Sequence, residues 1–249
     1  MKTVKDTLLE RRSIRRYERE PIPQDTMNFI YEAIRNTPTS YNGQQFSVID
    51  VTDQTLKEKI YELTQQKQIK TCNHFLVFCA DFHKIRVISD AKSITMPEFQ
   101  KTLDGILVGS IDASLAMMSA LTAAESEGIG TCCIGYTRTA APEAVSRLLG
   151  LPQDTFIVCG LAIGVPREMP DLKPKQPLSL IIHSNTYNND DNLCDELLEY
   201  DKEISVYNAS RSGTKSDNDW ASHIVDYYRM AMSYQMLAAV RRRGFDVES

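Results

Sequence analysis

The stretch from about Gln100 to Glu127 carries large apolar residues all the way round a helical projection, and no other feature limits the fold as strongly. Leu103, Ile106, Leu107, Val108, Ile111, Leu115, Met117, Met118 and Leu121 surround the helix instead of lying along one stripe. A helix without a polar face has to be covered on nearly all sides. It is therefore expected to be either central or packed in an interface between subunits, and Gly128 is its expected stop. No uninterrupted apolar run reaches the roughly 18 residues that span a bilayer. The N-terminal MKTVKDTLLERRS has no apolar secretory core, so neither membrane insertion nor export is expected.

With 249 residues the chain can bury a sizeable core, as one large domain or two small ones. Its 28 Lys and Arg against 33 Asp and Glu leave a net charge of −5, which argues against general nucleic-acid or anionic-membrane binding. Six cysteines show no CxxC spacing, and four lie in apolar runs, the pattern of reduced thiols in a cytoplasmic protein. The four histidines are scattered and unpaired with the cysteines, so no metal site is expected.

Local patterns supply the remaining elements. Val4–Arg12 reads as an amphipathic helix, and Met27, Ile30, Ala33 and Ile34 mark another. Phe46–Val51 alternates like a strand. Leu56, Ile60 and Leu63 define a helix with Thr52 or Asp53 as its cap. Phe75–Ala80 is apolar without alternation, as a strand covered on both faces would be. Thr131–Ile134 and Phe156–Val165 are strand candidates, with a helix between them that has Pro142 in its first turn and Gly150 after its end. A proline- and lysine-rich arm follows Pro166, and Trp220–Arg243 reads as one closing helix.

The local feature richest in chemistry is Arg11-Arg12-Ser13-Ile14-Arg15-Arg16. In an extended backbone Arg11, Ser13 and Arg15 share a side, and two guanidinium forks with a hydroxyl suit a phosphate. The same residues also read as a solvated basic turn after a helix, or as a helix C-terminus that sets cations against its dipole. Pro38–Gln44 offers hydroxyl and amide groups at a strand edge, or simply a turn. Lys173-Pro174-Lys175 is an anion contact or a solvated pair. Gly128–Gly135 fails the GxGxxG spacing, and neither a phosphate-binding P-loop, GxSxG nor HExxH is present.

RRSIRRY at 11–17, PTSYNGQ at 38–44, AESEGIGTCCIG at 124–135, GLAIGVP at 160–166 and DLKPKQP at 171–177 occur in an order that resembles the nitroreductase family. The likeness is to its oxygen-insensitive NADPH nitroreductases and NADPH-flavin oxidoreductases, which carry FMN. It runs from the N-terminus to about Tyr187 and continues more loosely beyond. The resemblance implies an α+β fold, a mixed sheet flanked by helices, in a homodimer with the helix at 103–127 in the interface. It further implies a core over 1–190, and a helical extension over 191–249 that completes the same domain and pocket.

By the same resemblance, Arg11, Arg12, Ser13, Ile14 and Arg15 hold the FMN phosphate, ribityl chain and ring edge. Thr39, Ser40 and Gln44 belong to a loop lining the flavin, with Tyr41 and Asn42 toward the substrate pocket. Gln66 is assigned to the isoalloxazine across a one-residue gap. Cys133, Ile134, Gly135 and Tyr136 pass the flavin, and Lys173, Pro174 and Lys175 lie near the phosphate. Arg211 and Lys215 would meet the 2′-phosphate of NADPH, favouring it over NADH. Two departures stand out: Lys175 occupies a position where arginine is common, and the closing helix lacks the expected basic, proline-containing pattern.

No side chain is expected to act as a nucleophile, because in such enzymes the flavin performs the hydride chemistry. The implied activity is ping-pong, two-electron reduction of nitroaromatics, quinones or flavins. The alternatives are a flavin reductase that supplies free reduced FMN and a non-catalytic flavin-binding regulator.

Overall fold

The computed structural model describes residues 2–188 and 192–246. In chain order the elements are α1 (Val4–Glu10), α2 (Gln24–Arg35), β1 (Phe46–Val51), α3 (Gln54–Thr64), α4 (Lys67–Thr71), β2 (His74–Asp81), α5 (His83–Ala91) and α6 (Leu103–Ser126). They continue with β3 (Gly130–Ile134), α7 (Tyr136–Thr139), α8 (Pro142–Leu148), β4 (Thr155–Gly164), α9 (Leu193–Ser210), α10 (Trp220–Ala231) and α11 (Met236–Arg242). The chain forms two compact units, Met1–Met169 with Gln235–Ser249, and Pro170–Tyr234.

In the first unit the four strands lie in the order β1-β2-β4-β3. β2 is central and buried along Phe75–Ala80, which is why its sequence does not alternate. All strand pairs are antiparallel, so the α+β class holds, while the parallel part of the expected mixed sheet is reduced to one bridge, Ser13 to Thr131. Gly160 on β4 is required by close approach: a Cβ there would lie 2.5 Å from the Phe75 ring and 2.7 Å from Thr137 Oγ1. Asp53 caps α3 by accepting a hydrogen bond from Leu56 N at 2.7 Å.

α6 packs against β2 and α2 through its small residues. Gly105, Gly109, Ala113, Ala116, Ala120, Ala123 and Ala124 are buried, with Asp112 among them. Gly109 stands so close to the sheet that a Cβ would lie 2.7 Å from Ala80 Cβ. The large residues point the other way: Leu103, Leu107, Ile111, Leu115 and Met118 are 40–62 % exposed. The protomer encloses the alanine and glycine face and leaves the leucine face open. α1 behaves likewise, with Val4, Leu8 and Leu9 exposed. By length and composition α6 is the one helix among the described residues that could cross a membrane. Its packing on the sheet is that of a core helix.

The closing helix expected over Trp220–Arg243 is broken. Ser233 N and Tyr234 N bond three residues back, to Met230 O at 3.1 Å and Ala231 O at 3.0 Å, tightening the chain into a turn before α11. The break coincides with the change of unit. Gly244, at φ 94°, then turns Phe245 into the first unit, where it is fully buried edge-on to Phe156 (4.7 Å) and Phe82 (5.9 Å). Arg243 fastens the segment by donating to Leu151 O at 2.7 Å and Thr155 O at 3.0 Å. In the second unit α9 and α10 are joined by Tyr200 against Trp220 (5.5 Å) and by Ala221 N donating to Asp201 Oδ1 at 2.7 Å.

Phe245→Ala would empty a closed aromatic cluster and is expected to cost about 3–5 kcal/mol. Equilibrium denaturation beside wild type measures it, and a loss below about 1 kcal/mol contradicts this account of the segment.

Candidate active site

The arginine-rich segment is held extended against the end of the sheet. Ile14 N donates to Thr131 O at 2.8 Å and Glu18 N to Val165 O at 2.9 Å, while Tyr17 pairs with Pro166. Ile14 and Tyr17 fill the apolar side, and Tyr17 Oη donates to Ile14 O at 2.6 Å. The sequence therefore keeps two hydrophobic pegs among its arginines, and the pegs decide where the guanidinium groups go. Cys133, Ile134, Gly135 and Tyr136, at the end of β3, are brought beside the same segment by the Ser13–Thr131 bridge.

Arg11 Nε lies 3.9 Å from Glu125 Oε1, and Arg12 Nη1 donates to Glu10 O at 3.2 Å and meets Met169 Sδ at 3.4 Å. The Nε atoms of both are buried without a hydrogen-bond partner. Buried donors of this kind are normally satisfied, so two in consecutive arginines point to an acceptor from outside the protein chain. Burial pushes the Glu125 carboxyl up, against the opposing pull of the Thr131 hydroxyl and Arg11. Arg15 is oriented through its backbone, whose N–H donates to Glu168 Oε1 at 2.7 Å.

A cavity of about 520 Å³ opens between the arginine segment and the α3–α4 corner. Arg15, Arg16, Lys67 and Arg167 line it with cations, Gln65 and Gln68 with amides, and no carboxylate is on its wall. The volume falls in the range of cofactor pockets, and the charge asks for an anion. Gln66 is not on the wall. It caps α4, with its Nε2 donating to Thr64 O at 3.4 Å, while Gln68 Nε2 donates to Gln66 Oε1 at 3.1 Å. Gln65, which has left-handed backbone (φ 57°), and Gln68 are on the wall on either side of it.

Thr39, Ser40, Tyr41, Asn42 and Gln44 form a tight turn in which Tyr41, Asn42 and Gln44 all have left-handed backbone. Thr39 Oγ1 accepts from Gln44 N at 3.2 Å, and Tyr41 is 82 % exposed. These residues do not line the Arg15 cavity. In the second unit, Lys173 and Lys175 are exposed on the proline arm, where Tyr200 Oη donates to Pro174 O at 3.4 Å. Asp171 in the same arm accepts from Ser212 N at 2.7 Å, so Arg211 and the Lys215 loop lie beside it. Arg16 closes the arginine segment that the sequence singles out, whereas Lys67, Gln68 and Arg167 lie outside every motif. Single polar residues at a helix start or loop carry no periodic signal.

This arrangement is an α+β protein with a cation-walled cavity. The comparisons name its class: residues 8–165 match the nitroreductase family and residues 173–248 its C-terminal domain. The chain belongs to the nitroreductase family. It is 37 % identical over 250 residues, covering both chains fully, to the FMN reductase [NAD(P)H] of Bacillus subtilis. It is 34 % identical over 220 residues, 88 % of each chain, to the oxygen-insensitive NADPH nitroreductase of Salmonella typhimurium. The hypothetical oxidoreductase YcnD of Bacillus subtilis superposes with a TM-score of 0.94 at 37 % identity, covering both chains fully.

All six cysteines are free, and only Cys133 and Cys194 are exposed. Burial pushes the Cys72 and Cys79 thiols up to about 12. The fold thus favours their neutral form, a stabilisation complete below the ordinary thiol range and lost as pH rises from about 8.5 toward 12. Burial also pushes the Cys133 thiol up to about 11, so native protein near neutral pH is expected to release one thiol, Cys194, quickly to an aromatic disulfide reagent and six after unfolding. Its denaturant midpoint should fall steadily above about pH 9. Rapid modification of Cys72 or Cys79 in folded protein is the contrary result.

Proposed function

We propose that this chain is an FMN-dependent NAD(P)H oxidoreductase that reduces nitroaromatics, quinones or flavins by two-electron transfer in a ping-pong cycle. The observation that carries the reading is a cation-lined cavity with no carboxylate among its lining residues, formed by an arginine segment in which the Nε atoms of Arg11 and Arg12, outside that cavity wall, are buried without a hydrogen-bond partner. Family membership, with relatives named FMN reductase and NADPH nitroreductase, supports it. FMN, when bound, accepts hydride from the nicotinamide and passes it to the acceptor.

The protein's own part is to bind, orient and tune. Arg11, Arg12, Ser13, Ile14 and Arg15 present donors to the anionic tail and the ring edge, and bidentate guanidinium groups fix orientation as well as charge. Gln66 acts with Gln68, to which it is hydrogen-bonded. Cys133, Ile134, Gly135 and Tyr136 offer backbone beside the same segment. The exposed Lys173 and Lys175, with Pro174 between them, are assigned to the FMN phosphate. Arg211 and Lys215 are assigned to the 2′-phosphate of NADPH, making it the preferred donor.

The working form is a homodimer. The exposed stripe from Leu103 to Met118 runs into an open apolar groove lined by Leu115, Met118, Val4 and Phe29, a face of the kind a second copy covers. Thr39, Ser40, Tyr41, Asn42 and Gln44 lie away from their own Arg15 cavity, which fits a site lined from both copies. Six free cysteines suit a cytoplasmic setting.

Protein reconstituted with FMN should bleach at its visible flavin band on anaerobic addition of NADPH, and more slowly with NADH. Recovery on adding a nitroaromatic or a quinone completes the cycle. Arg15→Ala is expected to raise the FMN dissociation constant about 10- to 100-fold, the loss of a charged hydrogen bond. Failure of wild type to bind FMN, or an FMN complex that NADPH leaves yellow, overturns the reading. Ile111→Glu should convert the dimer to monomer in sedimentation; a wild-type monomer that is fully loaded with FMN contradicts the shared site.

A further inference from the structure

A carboxylate at the centre of α6 is unaccounted for by the site described so far. Asp112 is fully buried in a helix whose other buried positions are Gly, Ala, Val and Leu. It makes no ion pair among the described residues. Its partners are two backbone N–H groups of one loop: Ser40 N donates to Oδ1 at 3.0 Å, and Gln45 N to Oδ2 at 3.4 Å. The two oxygens therefore bracket the segment from Ser40 to Gln45. Inside that bracket Tyr41, Asn42 and Gln44 all adopt the left-handed conformation that residues with a Cβ avoid. At its far end Gln45 O accepts from Asp81 N at 3.0 Å, which joins the loop to the end of β2.

A strained loop persists only when its surroundings over-determine it. Here the surroundings are a sheet end and a single carboxylate, because Thr39 Oγ1 to Gln44 N is a bond internal to the loop. A buried carboxyl whose two oxygens accept from two amides at 3.0 and 3.4 Å ties both ends of the loop to one point on the helix. Ile111, just before it on α6, and Leu115, three residues after it, are on the exposed apolar face. The helix thus carries the clamp on one side and the open stripe on the other.

We infer that Asp112 is a positioning residue that clamps the Ser40–Gln45 loop in the conformation needed to present Thr39, Ser40 and Gln44 to the flavin. The inference rests on the FMN reading of the site. Asp112 touches neither cofactor nor substrate. It acts through the two amides and holds the loop to the helix that forms the open apolar face.

The test uses the full chain as Asp112→Asn, which preserves shape but turns an N–H donor toward a loop N–H. Asp112→Ser serves as a smaller second variant, and Phe245→Leu as a control destabilised far from the loop. Amide hydrogen exchange is read at Ser40 and Gln45, FMN affinity by quenching of flavin fluorescence, and the loaded protein by visible circular dichroism. Both Asp112 variants should speed exchange at the two amides, raise the FMN dissociation constant at least tenfold and alter the dichroism of the bound flavin. The control should lower the melting temperature with none of these changes. Unchanged exchange in both variants, or faster exchange with wild-type FMN affinity, overturns the inference. So does an equal loss of FMN in the control. Should wild type bind no FMN, the proposed function fails, and the exchange result still decides whether Asp112 holds the loop.

Discussion

A helix can approach a sheet only as closely as its side chains permit, and the arrangement of the first unit follows from how close α6 comes to β2. Glycine and alanine along one face bring the two backbones together, to the point that Gly109 has no room for a methyl group beside Ala80. That contact settles the rotation of the helix. The bulky residues are turned outward, the one acidic residue near its middle is turned inward, and the loop before β1 finds its acceptor. Had the leucines faced the sheet, the helix would stand farther off and the carboxylate would meet solvent.

The electrostatics of the cavity depend on an equally simple device. Ile14 and Tyr17 are buried, so the arginines beside them are carried to fixed places by apolar packing and by the backbone bonds to Thr131 and Val165. Long cationic side chains ordinarily lose conformational freedom when they are ordered around a ligand. Here much of that ordering is done before any ligand arrives, by a hydrogen-bonded segment and by carboxylates at Glu125 and Glu168 that lie outside the cavity wall. Preorganised charge of this sort is the usual basis of tight anion binding.

Much of this was readable from the chain. β1 falls on the expected residues, Asp53 caps α3, and α8 begins at Pro142, because each depends on neighbours in sequence. The motif order indicated the family. What stayed hidden depends on tertiary geometry. Periodicity counts large apolar residues, so it did not show that the face of α6 turned to the sheet is the one built from the small ones. The closing helix was read as continuous because its apolar spacing survives the turn at Met232–Gln235. Gln68 carries no sequence signal, because three glutamines within residues 65–68 offer nothing to say which of them face a cavity. Asp112 did leave a trace, an acid in an apolar helix, although its partners lie some seventy residues earlier.

Phe245 closes an aromatic cluster with Phe82 and Phe156, and it reaches them only from beyond an intervening unit. Chains are made from the N-terminus onward and fold domain by domain as they emerge. For this protein the sheet-bearing unit is left unfinished while Pro170–Tyr234 is being translated, its last hydrophobic wedge still unmade. Completion of that unit is a late event in biosynthesis, and a ribosome stalled inside the intervening segment would hold a nascent chain with an open aromatic socket.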